Sequence, residues 1–471
     1  MKIRKIDIEN FRLLKKFSID LEDELSLVIG KNNTGKTSLL TVLDKFINQS
    51  DRNRFSFDDF NLDYRESFKD LVEGANFEEE SYVPQGIKLK IFIEYDENDD
   101  LSNISQVMMD LDPENNTIVL GFEYIVTLTE MTRLRKDAQD FLKKASGSED
   151  TEDAKDLVYF LNKNYDEYFF IYRKSIAFDI ENEKPNESVF LDLDKEKVSL
   201  KNILSFKYIS AKREVTNKDI DKTLSSQTSK IYKKTESSDT QQLAIEKFKD
   251  QLFSTDMVLS NIYSDMFSEV VEKVKKFGGI KEDDSDIKIV SSLQHRELLD
   301  GNTTVMYNQN GHDLPEHYNG LGYMNLISMI FEIEILLKEF KKSKNEKSAD
   351  INILFIEEPE AHTHPQMQYV FIKNIKALLK ADLKREDGQS IHLQYVISTH
   401  SSHIVSESSF NDIKYLKKDK FNSVISKNLQ ALEREYETCG EENNYRFLKQ
   451  YLTLNRAELF FADKAILIEG D

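Results

Sequence analysis

One cysteine, Cys439, among 471 residues leaves no intrachain disulfide to form and excludes a thiolate-rich zinc site. No apolar run approaches the roughly 18 residues of a bilayer-spanning helix. The chain opens on a charged, strand-like segment rather than a signal peptide, so a cytoplasmic protein without membrane contact is expected. Positive charge is in deficit: 64 Lys and Arg stand against 85 Asp and Glu, a net charge of −21. Most of such a surface repels a polyanion, and any nucleic-acid contact has to be local. No segment repeats with a solenoid period. What is present is a globular composition, 39% hydrophobic and 32% charged. It is long enough for a large core and, at roughly 150 residues per unit, for about three structural units.

Apolar and polar residues alternate at Ile6 and Ile8 and again at Phe17, Ile19 and Leu21, which predicts an edge hairpin. The continuous run Leu27-Val28-Ile29 predicts a buried strand, and Leu39, Leu43, Phe46 and Ile47 place one apolar face on a helix over 37–47. Ile87 to Tyr95 alternates like a strand of a second sheet layer. Residues 131–168 read as helical, broken by the loop 146–150. The stretch 217–240 is rich in Lys, Ser, Thr and Asp and reads as a mobile linker or loop. A helical pattern resumes over 241–277, with Phe248, Leu252, Val258, Ile262, Phe267, Val270 and Val274 as expected core positions. Then come a helix over 323–341, a buried strand over 351–356, a helix over 366–383 and a strand over 391–397. Strands alternating with helices of this length imply a parallel sheet covered on both faces.

Three motifs carry the chemistry. Gly30-Lys31-Asn32-Asn33-Thr34-Gly35-Lys36-Thr37 has the two glycines, lysine and threonine of a phosphate-binding loop at their required spacing, between a buried strand and a helix. Backbone N–H groups from Asn32 to Ser38 and the positive end of the helix suit phosphates. Lys36 is expected to neutralise the β- and γ-phosphates of ATP, and Thr37 to ligate Mg²⁺. The strand Ile353-Leu354-Phe355-Ile356 ends in Glu357-Glu358, which places two carboxylates at the edge of a parallel sheet where phosphate ligands bind. Glu357 is the expected metal ligand and Glu358 the general base for the attacking water. The strand Tyr395-Val396-Ile397 ends in Ser398-Thr399-His400, where His400 suits a contact to the γ-phosphate or the lytic water. His362 and His364, and His312 and His317, lack a full zinc ligand set, so structural or interface roles are expected.

Taken in order, these motifs resemble a known family. Ile8-Glu9-Asn10-Phe11-Arg12, the phosphate loop, Glu357-Glu358-Pro359-Glu360-Ala361-His362-Thr363-His364-Pro365 and Ser398-Thr399-His400-Ser401 resemble the ATPase domain of OLD-family (overcoming lysogenisation defect) endonucleases. The Asn-Phe-Arg piece is shared with RecF-like and SMC-like ATPases. The resemblance implies an α/β, ABC-type P-loop NTPase fold: a mixed or parallel sheet flanked by helices, an antiparallel β layer and a helical insertion. It implies an ATPase part over 1–215, an insertion suited to self-association over 216–300, and the rest of the ATPase over 301–455. It also implies nucleotide contacts from Arg12 and Arg213, and a signature-like loop at Asn319, Gly320 and Gly322 that caps the γ-phosphate of an opposite subunit, with Asn319 where the usual residue is serine. Residues 456–471 resemble the opening of a Toprim nuclease domain, which makes Glu469 a metal ligand and puts Asp471 in the following loop. The Asp-x-Asp carboxylates that complete such a site lie outside these 471 residues, so this chain by itself is not expected to cut DNA.

The function so implied is Mg-ATP hydrolysis regulating a Toprim-type DNA endonuclease in bacterial antiphage defence. The expected partners are further copies of the chain in a dimer or larger homo-oligomer, and DNA through a local surface or the nuclease domain. Two other readings stand beside it: a sensor or scaffold ATPase that recruits a separate effector, and a RecF/SMC-like repair ATPase. Against the last, the chain has no heptad coiled coil of SMC length.

Overall fold

In the computed structural model the described residues are 1–49, 54–74, 77–145, 156–211, 227, 230–231, 242–266, 268, 306–309, 312–315, 320–342, 346–361, 363–381, 391–440, 442–452, 456–464 and 466. They form two compact units. One comprises residues 1–212, 348–383 and 390–471, the other residues 213–347 and 384–389.

The alternating N-terminal segment folds as the antiparallel strands β1 (Lys2–Phe11) and β2 (Leu14–Asp20), with Ile6, Ile8, Phe17 and Ile19 buried on one face. The apolar run that follows is β3 (Leu25–Gly30), buried at every position. β1 is not at an edge, because its other side pairs with β4 (Gln85–Glu94). β5 (Thr117–Val126), β6 (Phe170–Asp179) and β7 (Lys184–Asp192) extend this layer into a six-stranded antiparallel sheet in the order β2-β1-β4-β5-β6-β7.

The second sheet contains β3 together with β8 (Leu204–Ile209), β11 (Ile351–Glu357), β12 (Leu393–Thr399), β13 (Ile413–Lys420) and β14 (Ser423–Asn428). A separate two-stranded pair, β9 (Met306–Gln309) and β10 (His312–Pro315), lies in the other unit. The order is β14-β13-β3-β12-β11-β8, parallel throughout except for the antiparallel hairpin β13–β14. Register brings three motifs to one sheet edge: Thr399 pairs with Ile29, and Glu357 with Ser398. The phosphate loop, the acidic pair and the histidine therefore emerge side by side, although up to 370 residues separate their positions in the sequence (Gly30 to His400).

Helix α1 (Lys36–Leu43) follows the loop and runs into a wider turn over Asp44–Asn48, so the helix expected over 37–47 changes hydrogen-bonding pattern before its end. The core between the layers gathers Ile8, Phe46, Phe60, Phe122, Phe206 and Phe355. Gln394, buried on β12, ties the sheets together. Its amide oxygen accepts from Ile3 N–H at 2.6 Å and its NH₂ donates to the Ile3 and Glu22 carbonyls, each at 2.9 Å. Lys414 of β13, fully buried, donates to Glu22 Oε1 at 2.5 Å and Asn428 Oδ1 at 2.7 Å.

Helix α2 (Leu62–Glu73), α3 (Leu128–Ala145) and α4 (Leu157–Asn164) pack beside the antiparallel sheet. In the other unit, α5 (Gln242–Met266) departs from expectation. Val258 and Ile262, expected in a core, are 58% and 45% exposed. A helical period specifies an apolar stripe but not what covers it. Phe267, Val270 and Val274 lie outside the described residues. Helix α6 (Leu321–Lys341) is in the same unit, and α7 (Pro365–Ala381) follows the acidic strand. No helix among the described residues is long and apolar enough to cross a membrane.

Candidate active site

The loop after β3 is held by steric limits that only its glycines meet. A Cβ on Gly30 would lie 2.7 Å from the Leu416 carbonyl oxygen and 2.7 Å from Thr34 Oγ1. Gly35, the N-cap of α1, has φ of 87°, a left-handed conformation costly for residues with a side chain. Asn33 is also left-handed, at φ of 60°, which asparagine tolerates better than most. Gly35 provides no side-chain cap, so the first-turn amides of α1 have none from that position. Lys36 Nζ donates to the carbonyls of Gly30 and Lys31 at 2.8 and 2.9 Å. Burial lowers its pKa to about 8, opposed by the nearby carboxylates of Glu358, Glu360 and Glu357.

Across the sheet edge, Thr37 Oγ1 donates to Glu357 Oε1 at 2.5 Å, and the other carboxylate oxygen of Glu357 accepts from the Ala211 N–H, just past β8, at 3.2 Å. A hydroxyl and a carboxylate converging at a parallel-sheet edge form an all-oxygen donor pair, the type preferred by a hard cation such as Mg²⁺. Glu358 begins the turn after β11 with φ of 42°, its N–H donating to the Ser398 carbonyl at 2.9 Å. Its Oε1 is 3.2 Å from His400 Nε2. Burial, reinforced by the neighbouring Glu357, raises the Glu358 pKa against the pull of Lys36. Burial lowers the His400 pKa to about 4, aided by Lys36 and opposed by a hydrogen bond to the Gly30 backbone. The imidazole is therefore neutral near pH 7 and presents both a donor and an acceptor.

An open cleft of about 770 Å³ adjoins the loop, with Lys31, Asn32, Thr34, His400, Tyr415 and Phe461 among its lining. Ser38 is buried in the first turn of α1. The structure gives Arg12 a partner away from the loop motif: its Nε and one terminal nitrogen donate to Asp59 Oδ1 at 3.0 and 2.8 Å, while Lys45 holds Asp59 Oδ2 at 2.6 Å. Gly320 caps α6 and Gly322 lies in its first turn, both in the other unit. Asn319, Arg213, Glu469, Asp471, His317 and His362 lie outside the described residues. His364 has a local role, its Nδ1 accepting from the Gln366 N–H at 3.3 Å at the start of α7. Among the described residues no group of three or more His, Cys, Asp or Glu is placed to hold a metal ion.

Sequence reasoning left two site contacts unassigned. Glu360 bonds the end of β12, and Lys31 pairs with Asp463 at 2.5 Å. The third acid of Glu-Glu-Pro-Glu was the available signal for the first. No local pattern marks the second.

The model of the family described as AAA ATPase domain matches residues 1–405. The chain belongs to this family. This ATPase domain is also similar to Endonuclease GajA of Bacillus cereus (strain HuB5-5), with 27% identity over 495 aligned residues that cover 100% of the chain and 66% of that protein. The chain thus spans just under two thirds of the relative's length. Among solved structures, the SMC head domain from Thermotoga maritima aligns at 10% identity and a TM-score of 0.36, covering 91% of this chain and 99% of that one. Stu0660 of Streptococcus thermophilus aligns at 9% identity and a TM-score of 0.41, covering 96% and 85%. Likeness of that order leaves function to the residues of the site.

Proposed function

We propose that this chain binds and hydrolyses Mg-ATP and that its nucleotide state regulates a DNA endonuclease activity in the protein to which it belongs. The observation that carries the reading is the meeting of Thr37 and Glu357 at one sheet edge, with Lys36 beside them and Glu358 facing His400. Lys36 would exchange its two loop carbonyls for phosphate oxygens, a stronger charge-assisted pairing. The loop amides from Asn32 to Ser38 and the N-terminus of α1 would orient the triphosphate. Thr37 and Glu357 would hold Mg²⁺, which supplies neutralisation of phosphate charge when bound. Glu358, with its raised pKa, is suited to take a proton from the attacking water. His400, neutral near pH 7, would orient that water or the γ-phosphate.

The endonuclease part of the reading is supported by the match, over all of this chain and 66% of the relative, to a protein named as an endonuclease and by the OLD-like motif order, with Glu469 as the first acid of a Toprim site. The same resemblance supports a role in antiphage defence and a homo-oligomeric assembly that uses 216–300 for self-association and Gly320 and Gly322 in trans. The test is calorimetric titration of ATP into the protein together with phosphate release from Mg-ATP. Micromolar binding and steady turnover are expected; absence of ATP binding overturns the reading. For the regulatory half, ATP is expected to change DNA cleavage by the full-length protein, and cleavage indifferent to nucleotide overturns it.

A further inference from the structure

The parallel ladder between β11 and β12 ends where Glu357 pairs with Ser398 and the Glu358 N–H donates to the Ser398 carbonyl. Beyond that point Thr399 still pairs with Ile29 of β3 as the last residue of β12, and the amide of His400, past the strand end, needs another acceptor. Glu360 provides it. Its Oε1 accepts from the His400 N–H at 2.6 Å and from the Thr399 hydroxyl at 2.8 Å. The Thr399 hydroxyl is itself oriented, accepting from the Ser401 N–H at 2.9 Å. The Ser401 hydroxyl in turn donates to Gln368 Oε1 at 2.6 Å, and the Gln368 NH₂ donates to the Thr363 carbonyl at 3.1 Å. Both chains of hydrogen bonds close on the segment that follows β11, where the Ala361 N–H donates to the Glu358 carbonyl and the Thr363 N–H to the Glu360 carbonyl.

A carboxylate is an expensive choice for a purely structural acceptor here. Glu360 Oε2 is buried without a hydrogen-bond partner among the described residues, and a buried unpaired oxygen is costly. Its compensation is charge-assisted bonding to the one backbone amide that sets where the imidazole of His400 sits, 3.2 Å from Glu358.

We propose that Glu360 is a positioning residue: its Oε1 clamps the end of β12 to the acidic turn and so holds His400 against Glu358 for hydrolysis. The proposal rests on the ATPase reading above for its catalytic consequence, but not for the clamp itself. Glu360→Ala is expected to lower kcat about 100-fold, the size of effect that a 1 Å misplacement produces, with the KM for ATP and the melting temperature little changed. Glu360→Gln, which keeps a carbonyl acceptor at Oε1, restores most of the turnover. Glu360→Asp, one methylene too short to reach both donors, does not, and it serves if the alanine variant fails to fold. In a His400→Ala background, Glu360→Ala adds no further loss, because the residue acts through the histidine. Additive losses in the double variant, or a Gln variant as impaired as Ala, overturn the proposal. Histidine-labelled NMR gives a readout independent of turnover: the His400 resonance moves toward that of a solvent-exposed imidazole in Glu360→Ala. An unmoved resonance overturns the clamp. A wild-type protein without turnover overturns the ATPase reading and with it the catalytic consequence, and the spectrum still decides the clamp.

Discussion

The Thr37 hydroxyl donates to Glu357 Oε1 at 2.5 Å, joining residues 320 positions apart. Neither residue is brought there by its own segment alone. β3 and β11 are not neighbours, and β12 lies between them. The contact spans the strand that ends just before His400, so the loop, the acids and the histidine form one site only when all three strands hold their parallel register.

Lys36→Ala removes the cation at the centre of this site. Losing charge-assisted bonds worth about 1.5–3 kcal/mol should weaken ATP binding by roughly 10- to 100-fold. Calorimetric affinity equal to that of the wild type would show that the phosphates bind elsewhere.

Glu358→Gln keeps the shape of the side chain and removes its basicity. Turnover should fall by about 10²- to 10⁴-fold while ATP affinity is retained. A variant that releases phosphate at the normal rate would remove Glu358 from the role of base.

The pH dependence follows from two shifts of known sign. Lys36, lowered to about 8, loses its charge as the pH rises through that value, so ATP affinity should decline in the alkaline range. Bound phosphates favour the ammonium form, and binding near pH 8 should therefore take up protons, visible as a dependence of the calorimetric heat on buffer ionisation. Glu358, raised above the usual carboxylate range, gains a proton as the pH falls through its own pKa, so turnover should fall on the acid side sooner than for an ordinary glutamate. A kcat/KM profile without an alkaline decline around pH 8 would contradict the assignment of Lys36, and an acid limb no higher than that of an ordinary glutamate would contradict that of Glu358.

Glu22→Ala should destabilise the unit that carries the site. It strands the fully buried Lys414 ammonium, keeping only the Asn428 contact. Removing one partner of a buried pair costs about 3–5 kcal/mol. The guanidinium midpoint of the variant measures it, and a midpoint matching the wild type would mean that Lys414 is neutral in the fold.

Much of the site was legible because its chemistry is local in sequence. The spacing of Gly30, Gly35, Lys36 and Thr37, and the acids that end an apolar strand, are each dictated over a few residues. Thr37, Lys36, Glu357, Glu358 and His400 come together as those motifs imply. Arg12 was read from its place in a motif, and a motif does not reveal the buried Asp59 that engages its guanidinium. The strands β5, β6 and β7 escaped the periodicity reading. β5 is buried at nearly every position and β7 is largely exposed, so neither shows the two-residue alternation that marks a half-buried strand.

The sequence by itself determined the phosphate loop, the buried strands that end in acids and in histidine, and the acidic charge balance, since each depends on residue type and short-range spacing. Only the tertiary structure decided that β12 sits between β3 and β11, that Gln394 and Lys414 lock the sheets, and that Glu360 takes over the bonding of His400 where the ladder stops. Strand order and long-range hydrogen bonds depend on which surfaces of the chain can be buried together, and that is a property of the whole fold rather than of any segment.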